Sequence, residues 1–384
     1  MRARSVTNRC AMPEGPSELD RRFMAAAIRL SERHVGLTGT NPSVATLVVR
    51  DDGDGPVIVG RGVTAEGGRP HAETQALAEA GARARGATAY VTLEPCAHHG
   101  RTPPCAEALV AAGIARVVSA AADPDPRVSG RGHAILTAAG LAVTPGVMAA
   151  DAGRPMSGYL CRLTRKRAEV TLKLALSSDG CLGRIGAGPI AITGPVANAQ
   201  THLLRARHDA VLVGVGTVLE DDPQLTCRLP GLADRSPLRI VIDPGLRTPP
   251  TSLLAATARQ VPTAFATLGA APAAQRRALA TAGCDFIACE ADPATGLVAL
   301  PELLEDLAAR GISSVLVEGG RRTAAAFLDQ GLVDRLVLLV GPHAIGPGGI
   351  AAPLDLTSAR RDFRLEREAC YGADRMYAFT RKDR

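Results

Sequence analysis

Residues 88–112 read Thr88-Ala-Tyr-Val-Thr-Leu93-Glu94-Pro95-Cys96-Ala-His98-His99-Gly-Arg101-Thr-Pro-Pro104-Cys105-Ala-Glu-Ala-Leu-Val-Ala-Ala112. Thr88 to Leu93 has the apolar, β-branched and aromatic character of a strand. Cys105 to Ala112 has the spacing of a helix. A strand that passes through a proline-bearing loop into a helix is the repeating unit of a layered α/β fold. The flanks agree. Ser17-Glu18-Leu19-Asp20 looks like a helix N-cap with an acidic first turn, and Phe23, Ala26, Ala27 and Leu30 repeat behind it at helical spacing. After the loop signal Asn41-Pro42, Val44–Val49 and Val57–Val63 read as strands around the turn Asp51-Asp52-Gly53. Glu73–Arg85 reads as a helix, and Ala115–Ala120, Gly132–Ala139 and Ala142–Pro145 continue the alternation.

The chain has 384 residues, enough for about two domains at roughly 100–200 residues each. Residues 149–168 interrupt the first alternating block. They are basic (Arg162, Arg165, Lys166, Arg167) and read as a linker with short ordered pieces, the charge run being a solvated surface. A second block opens with the strand Val170–Leu176. It continues through helix Val196–Arg207, strands Ala210–Val213, Leu238–Ile242, Thr263–Thr267 and Asp285–Ala288, and helix Ala273–Ala282. Helix Leu300–Arg310, strand Ser314–Val317, helix Thr323–Gln330 and strand Arg335–Val340 complete it. The division is therefore a disordered tail 1–19, a domain 20–148, the linker 149–168 and a domain 169–384, with no repeat relating the two blocks.

Composition removes several function classes. No stretch of about 18 uncharged apolar residues offers a membrane span, and residues 1–19 lack an export signal. We therefore expect a cytoplasmic enzyme. Aromatics are 3% with no Trp, which disfavours base stacking and hence a nucleic-acid partner. The net charge of +6 is built from Arg: Lys occurs only at 166, 173 and 382, so the other 41 of 44 basic residues are Arg. A genome-wide bias accounts for most of this, and a few arginines that hold phosphate are the sharper alternative. Nine scattered cysteines without an export signal point away from disulfides and towards a thiolate metal site.

That site is legible. His71-Ala72-Glu73 opens a helix, Glu94-Pro95-Cys96 ends a strand, and Cys105 begins the next helix. One His and two Cys supply three zinc ligands and leave a fourth position for water, the catalytic arrangement. Zinc lowers the pKa of such a water to about 7. Glu73, two residues from His71, is placed to take its proton and pass it to a leaving amine. His-x-Glu followed by Pro-Cys…Cys is the signature of zinc deaminases acting on cytosine-like or adenine-like rings. The bland alternative, two ordinary buried thiols and a capping histidine, does not account for their joint occurrence with Glu73 and Pro95.

In the nucleoside and nucleic-acid deaminases two residues separate the cysteines; here eight do. That insert, within TLEPCAHHGRTPPC (92–105) and behind PHAETQAL (70–77), closely resembles the deaminase half of the bifunctional riboflavin-biosynthesis deaminase/reductase family. The match continues to Asp123-Pro-Asp-Pro-Arg127 and Gly130-Arg-Gly132. The resemblance implies a cytidine-deaminase-like three-layer α/β/α domain. Its substrate would be a 2,5-diaminopyrimidinone bearing a 5-phosphoribosylamino group, whose ring 2-amino group water replaces. By correspondence His71, Cys96 and Cys105 hold Zn2+, Glu73 is catalytic, and Asn41, His98, Arg101 and Asp123 bind substrate, with Asp125 a looser match. A solvated loop residue is the lesser alternative for His98, and His99 reads as one. Where the family has Gly after Asn-Pro-x-Val, this chain has Ala45.

The second block resembles the reductase half of the same family, of dihydrofolate-reductase-like fold. The matching stretches are Leu203-Leu-Arg205-Ala, Gly216-Thr217-Val-Leu-Glu-Asp221-Asp-Pro-Gln-Leu225-Thr-Cys-Arg228, Leu238-Arg-Ile-Val-Ile-Asp243 and Val317-Glu318-Gly-Gly320. The resemblance implies hydride transfer from NADPH to C1 of the opened ribose. Lys173, Arg205, Leu225, Arg228 and Glu318 would bind substrate, the arginines its phosphate. Ala175, Ala191, Thr217, Asp221 and the run Gly320, Arg321, Arg322, Thr323, Ala324, Ala325, Ala326 would bind the cofactor. Two features speak without the resemblance. Gly319-Gly320 between a strand and a helix lets backbone N–H groups approach a pyrophosphate, although most such pairs are plain turns. Lys173 sits inside an apolar strand, where a buried ammonium must be paired or used, unless it lies on an edge strand facing water. Asp179 matches the family's Ser-Leu-Asp-Gly turn. Three positions depart from the family: Pro189 for a substrate-binding Ser, Ala191 for a stacking Trp, and Pro244 for a polar cofactor contact.

The leading expectation is a bifunctional enzyme, a homo-oligomer acting on small molecules. The alternative is a deaminase whose second domain is catalytically weak and structural. A nucleic-acid-editing deaminase would show Cys-x-x-Cys spacing and stacking aromatics, and neither is present.

Overall fold

Ser17 starts the first helix by a reciprocal cap. Its side chain accepts the Asp20 N–H (3.1 Å), and the Asp20 carboxylate accepts the Ser17 N–H (2.9 Å). The computed structural model describes residues 16–100, 103–188 and 190–382. Residues 17–19, assigned above to a disordered tail, thus belong to the cap and first turn of α1 (Glu18–Ser31). Asp20 does more than cap. It takes the Tyr90 hydroxyl (3.0 Å) and a two-pronged bond from Arg116 (2.9 Å each), which pins α1 to the sheet beneath. The buried stripe of α1 is Asp20, Met24, Ala27, Ile28 and Ser31, one residue round from the stripe read in the sequence.

The chain divides into two units between Leu160 and Cys161. In the first, β1 (Ala45–Arg50), β2 (Val57–Val63), α2 (Ala72–Ala80), β3 (Thr88–Leu93), α3 (Cys105–Ala111), β4 (Arg116–Ala121), α4 (Arg131–Ala138) and β5 (Ala142–Thr144) follow α1. The sheet order is β2-β1-β3-β4-β5. β1 is antiparallel to β2 and β3, and β3, β4 and β5 are parallel. α1 covers one face, burying Met24, Ala27 and Ile28 against Leu47, Val49 and Tyr90. Ala72 and Ala76 of α2, Leu109 of α3 and Leu136 of α4 pack on Val48, Val91 and Val117 on the other. These are the three layers expected. Ala45 is fully buried at the start of β1, its N–H bonded to the Thr92 hydroxyl (3.0 Å), so the methyl is accommodated.

Residues 149–165 are mostly helical: α5 (Ala149–Gly153), a 3-10 turn, and α6 (Ser157–Arg165). The basic run is a solvated surface only in part: Arg165 and Lys166 are exposed, and Arg162 and Arg167 are half-buried. Asp334, 7% exposed, draws in Arg165 (2.6 Å) and Arg167 (2.7 Å), because a buried carboxylate needs cationic partners. Arg162 donates to the Ser313 hydroxyl (3.0 Å).

The second unit contains β6 (Glu169–Leu176), β7 (Cys181–Arg184), α7 (Pro195–Ala206), β8 (Ala210–Gly214), α8 (Val215–Asp221), β9 (Leu238–Ile242), α9 (Leu253–Ala256), β10 (Thr263–Thr267), α10 (Ala273–Ala282) and β11 (Asp285–Ala288). There follow α11 (Leu300–Ala309), β12 (Ser314–Val317), α12 (Arg321–Asp329), β13 (Arg335–Val340), β14 (Gly349–Ala351), α13 (Leu356–Asp362), β15 (Phe363–Tyr371) and β16 (Asp374–Arg381). The sheet order is β11-β10-β9-β8-β12-β6-β13-β16-β15, with only β16 and β15 antiparallel to their neighbours. β6 is therefore central, and Lys173 on it is not an edge residue. Strands buried on both faces read as the continuous apolar runs seen in β8, β12 and β13.

Candidate active sites

In the first unit the carboxyl ends of β3 and β4 lead into the site, where ligands gather in parallel α/β sheets. β3 ends at Leu93, and Cys96 follows three residues on. Cys105 is the first residue of α3, and His71 is the N-cap of α2. The His71 Nδ1 lies 3.3 Å from the Cys105 Sγ and 3.7 Å from the Cys96 Sγ, and the Cys105 N–H points at the Cys96 Sγ (3.3 Å). The three ligand atoms fall within 4.8 Å of one another, the sole such group of His, Cys, Asp and Glu side chains among the described residues. The Cys105 thiol, and His71 after it, bring Cys96 down to about 4 against the effect of burial. Cys96 and burial push the Cys105 thiol up. One imidazole and two sulfurs, the donor set of a zinc site, fit that metal.

Glu73 is the second residue of α2, 4% exposed, in contact with the Cys105 thiol. Burial, then the Cys96 charge, raises its carboxyl to about 7.

The other residues of this constellation lie on loops. Asn41 packs against Gly68, where a Cβ would overlap its amide nitrogen. The Asp123 carboxylate, 5% exposed, accepts the Asp125 N–H (2.9 Å) and the Tyr159 hydroxyl (3.0 Å), and burial raises its pKa. Asp125 is engaged by Arg127 (2.6 Å). His98 lies close enough to favour the Asp125 charge, and its Nδ1 is buried with no hydrogen-bond partner among the described residues. His99 is exposed, 3.6 Å from Glu107, as a solvated loop residue would be. Arg101 lies outside the described residues.

Sequence reading missed Tyr159 and Glu94. Glu94, 3% exposed, accepts the N–H groups of Gly130 and Gly132 (3.1 Å each) and so ties the zinc strand to the start of α4. Gly132 must be glycine for this approach, since a Cβ there would overlap the Pro95 carbonyl oxygen. Glu94 stands within the Glu-Pro-Cys motif, and its burial was the missing signal.

In the second unit, a cavity of about 390 Å³ is lined by Arg205, Asp221, Pro223, Gln224, Leu225 and Arg228. Behind it Glu318 gathers two cations. Arg205 bonds it through Nε (2.6 Å) and Nη2 (3.0 Å), and the Lys173 Nζ is 3.9 Å away. Burial pushes Glu318 up, and Arg205 and Lys173 outweigh it, so the carboxyl lies below its ordinary value. Burial lowers the Lys173 ammonium, against Glu318. Arg205 also donates to the Thr226 carbonyl (3.0 Å) and is 9% exposed. It is thus chiefly the partner of Glu318, whereas Arg228 is exposed on the rim of the cavity.

The Thr217 hydroxyl accepts the Gly320 N–H (3.2 Å), joining α8 to the N-cap of α12. No side chain caps α12, so its first N–H groups, on Arg321, Arg322 and Thr323, are open to an anion, which fits a dinucleotide phosphate. Of the expected cradle, Gly320, Arg321 and Arg322 are exposed, and Ala325 and Ala326 are half-buried. Ala324 departs from expectation. Its N–H is spent on the Gly320 carbonyl (3.1 Å) and its methyl is fully buried in the core, because helical periodicity turns that position inward. Ala175 is half-buried and Ala191 exposed. Pro189 lies outside the described residues. The Pro244 carbonyl accepts the Thr267 hydroxyl (3.1 Å).

Residues 17–121 match the family described as the cytidine and deoxycytidylate deaminase zinc-binding region, and residues 168–371 match the RibD C-terminal domain. Riboflavin biosynthesis protein RibD of Escherichia coli is 39% identical over 338 residues, 85% of this chain and 89% of that protein. The Aquifex aeolicus protein of the same name is 36% identical over 351 residues, 91% and 95% of the two chains. The solved structure of Acinetobacter baumannii RibD superposes with a TM-score of 0.82 at 34% identity, covering 95% of this chain and 99% of that one. A Thermotoga maritima diaminohydroxyphosphoribosylaminopyrimidine deaminase/5-amino-6-(5-phosphoribosylamino)uracil reductase superposes at 0.81 with 30% identity, covering 95% and 99%. With both halves matched in order and over nearly their whole length, the chain belongs to the RibD family of riboflavin biosynthesis proteins, as a bifunctional enzyme that joins a zinc-dependent deaminase to a reductase.

Proposed function

We propose that the first unit hydrolyses 2,5-diamino-6-(5-phosphoribosylamino)pyrimidin-4-one to 5-amino-6-(5-phosphoribosylamino)uracil and ammonia. The second unit then uses NADPH to reduce the ribosyl group of that product to a ribityl group. The observation that carries the reading is a buried carboxyl, Glu73, beside three convergent zinc ligands. His71, Cys96 and Cys105 hold the metal, which when bound supplies the Lewis acid that makes water a nucleophile at neutral pH. Glu73 takes the proton of the attacking water and returns it to the departing amine. Asn41, His98 and Asp123 orient the pyrimidine, and Arg101 serves the ribose phosphate. In the second unit Lys173, Leu225, Arg228 and Glu318 contact the substrate, and Arg205 acts through Glu318. Thr217, Asp221, Ala175, Ala191 and the stretch from Gly320 to Ala326, apart from the core residue Ala324, surround NADPH, which supplies the hydride. No helix among the described residues is long and apolar enough to cross a membrane. We place the enzyme in the cytoplasm on its thiol-rich composition, and the family resemblance suggests a homo-oligomer.

A coupled assay tests both steps. The diaminopyrimidine should release ammonia with or without NADPH, and the ribityl product should form only with it. Normal ammonia release without NADPH oxidation would leave the reductase half of the proposal without support.

Three variants test the residue roles. Cys96→Ser and Cys105→Ser should each lower zinc from about one per chain to a small fraction by metal analysis, because a hydroxyl is a poor ligand for this ion. Stoichiometric zinc in both would rule out the assignment. Arg228→Ala should raise the reductase substrate KM by about tenfold or more, the worth of a charge-assisted phosphate contact, with an unchanged melting temperature. An unchanged KM would remove Arg228 from the site.

A further inference from the structure

Arg239, the second residue of β9, is 0% exposed and heads the fully buried side chains by volume. A buried guanidinium ordinarily meets a carboxylate. Here its four partners are neutral oxygens. Nη1 donates to the Gln224 carbonyl (3.2 Å) and the Thr257 hydroxyl (2.8 Å), and Nη2 to the carbonyls of Leu254 (3.2 Å) and Val261 (2.7 Å). Nε is buried with no partner among the described residues. An apolar side chain would fill this space without the cost of desolvating a charge. What the guanidinium adds is a rigid planar fork that joins four separate points of the chain.

One of those points is in the wall of the reductase cavity. Gln224 lines it, as does Leu225. Leu225 adopts φ +54° and Asp222 φ +37°, left-handed conformations that a residue with a side chain holds only where its surroundings impose them. Two ties to α9 impose this one. The Asp222 carboxylate accepts the Leu253 N–H (2.8 Å), and Arg239 grips Gln224 and Leu254 together from inside the fold.

We propose that Arg239 is a positioning residue of the reductase: by clamping the Gln224 carbonyl it holds the 222–225 turn so that Leu225 and Arg228 present the correct surface to the substrate. The proposal rests on the reading of this cavity as the reductase substrate site. It concerns binding geometry, so its mark is a change in substrate KM beyond any change in the amount of folded enzyme.

The test uses the full chain with the deaminated product and NADPH, and compares Arg239→Gln, Arg239→Lys, Thr257→Val and Arg228→Ala. Arg239→Gln should raise the substrate KM by about tenfold or more, as small misplacements of positioning groups do, with a smaller change in KM for NADPH and none in the deaminase kcat. Arg239→Lys, which keeps the charge but not the fork, should recover only part of the loss. Thr257→Val removes one outlying acceptor and should raise KM about two- to threefold, in line with a single hydrogen bond. If Arg239→Gln does not fold, the lysine and valine variants decide. Parent-like KM in both, with a raised KM in Arg228→Ala, overturns the positioning role. Parent-like KM in Arg228→Ala as well shows instead that the cavity is not the substrate site.

Discussion

Glu73→Gln is expected to lower the deaminase kcat by about 10²–10⁴-fold, the range that a positioned proton-transfer group supplies, while zinc stays near one per chain. The side chain is 4% exposed and packed at the start of α2, so the nearly isosteric amide keeps its volume. None of the metal ligands is removed, since His71, Cys96 and Cys105 converge without it. What is lost is the capacity to accept a proton from water and to return it to the departing amine. Reductase turnover, measured with the deaminated product supplied, should match the parent. Deamination within tenfold of the parent at full zinc content would show that another group carries the proton. Asp123 would then be the first to examine, because its carboxyl is also buried and raised.

The zinc centre could be read from the sequence because its chemistry is local. His71 and Glu73 share one helix start, and Cys96 and Cys105 flank one loop, so spacing alone brings the right atoms near each other. The parallel strands were legible for a similar reason. Helix 273–282 sits between Pro272 and Gly283, and β8–β13 are short apolar runs between turn residues. β15 was not read, because it alternates Arg364, Glu366 and Glu368 on an edge strand that is largely exposed and offers no continuous apolar face. The buried face of α1 was displaced by one residue because Asp20 and Ser31 lie on it. Asp20 is satisfied by Tyr90 and Arg116, distant in sequence, and the Ser31 hydroxyl donates to the Ile28 carbonyl (2.7 Å). The basic run at 162–167 misled in part as Asp20 did, the acceptor of Arg165 and Arg167, Asp334, lying more than 160 residues away. Arg239 reads only as part of the strand Leu238–Ile242, since its partners Gln224, Leu254, Thr257 and Val261 lie outside that strand.

Arg205 shows what that distance does to a functional expectation. Sequence resemblance groups Arg205 with Arg228 as a pair for phosphate, yet the two should behave differently when removed. Arg205→Met leaves Glu318 buried with only Lys173, 3.9 Å away, and without its bidentate partner. Breaking a buried pair by removing one member costs about 3–5 kcal/mol, and the remaining Lys173 places this case towards the lower end. At about 2–4 °C per kcal/mol for a unit of this size, the melting transition of the Cys161–Arg384 unit should fall by roughly 6–12 °C in calorimetry. Arg205→Lys should fall by less, keeping the charge but losing the fork and the Thr226 carbonyl contact. Arg228→Ala, exposed on the rim, should leave the transition in place. The effect carries a pH signature. Glu318 is held below its ordinary pKa, so the pair's contribution is fully present above the unfolded carboxyl value of about 4.3 and is lost as pH falls through the lower folded value. The deficit of Arg205→Met should therefore shrink on acidification below about pH 4. Equal melting transitions for Arg205→Met, Arg228→Ala and the parent would mean that Glu318 does not depend on Arg205. The older pairing of the two arginines at the phosphate would then stand.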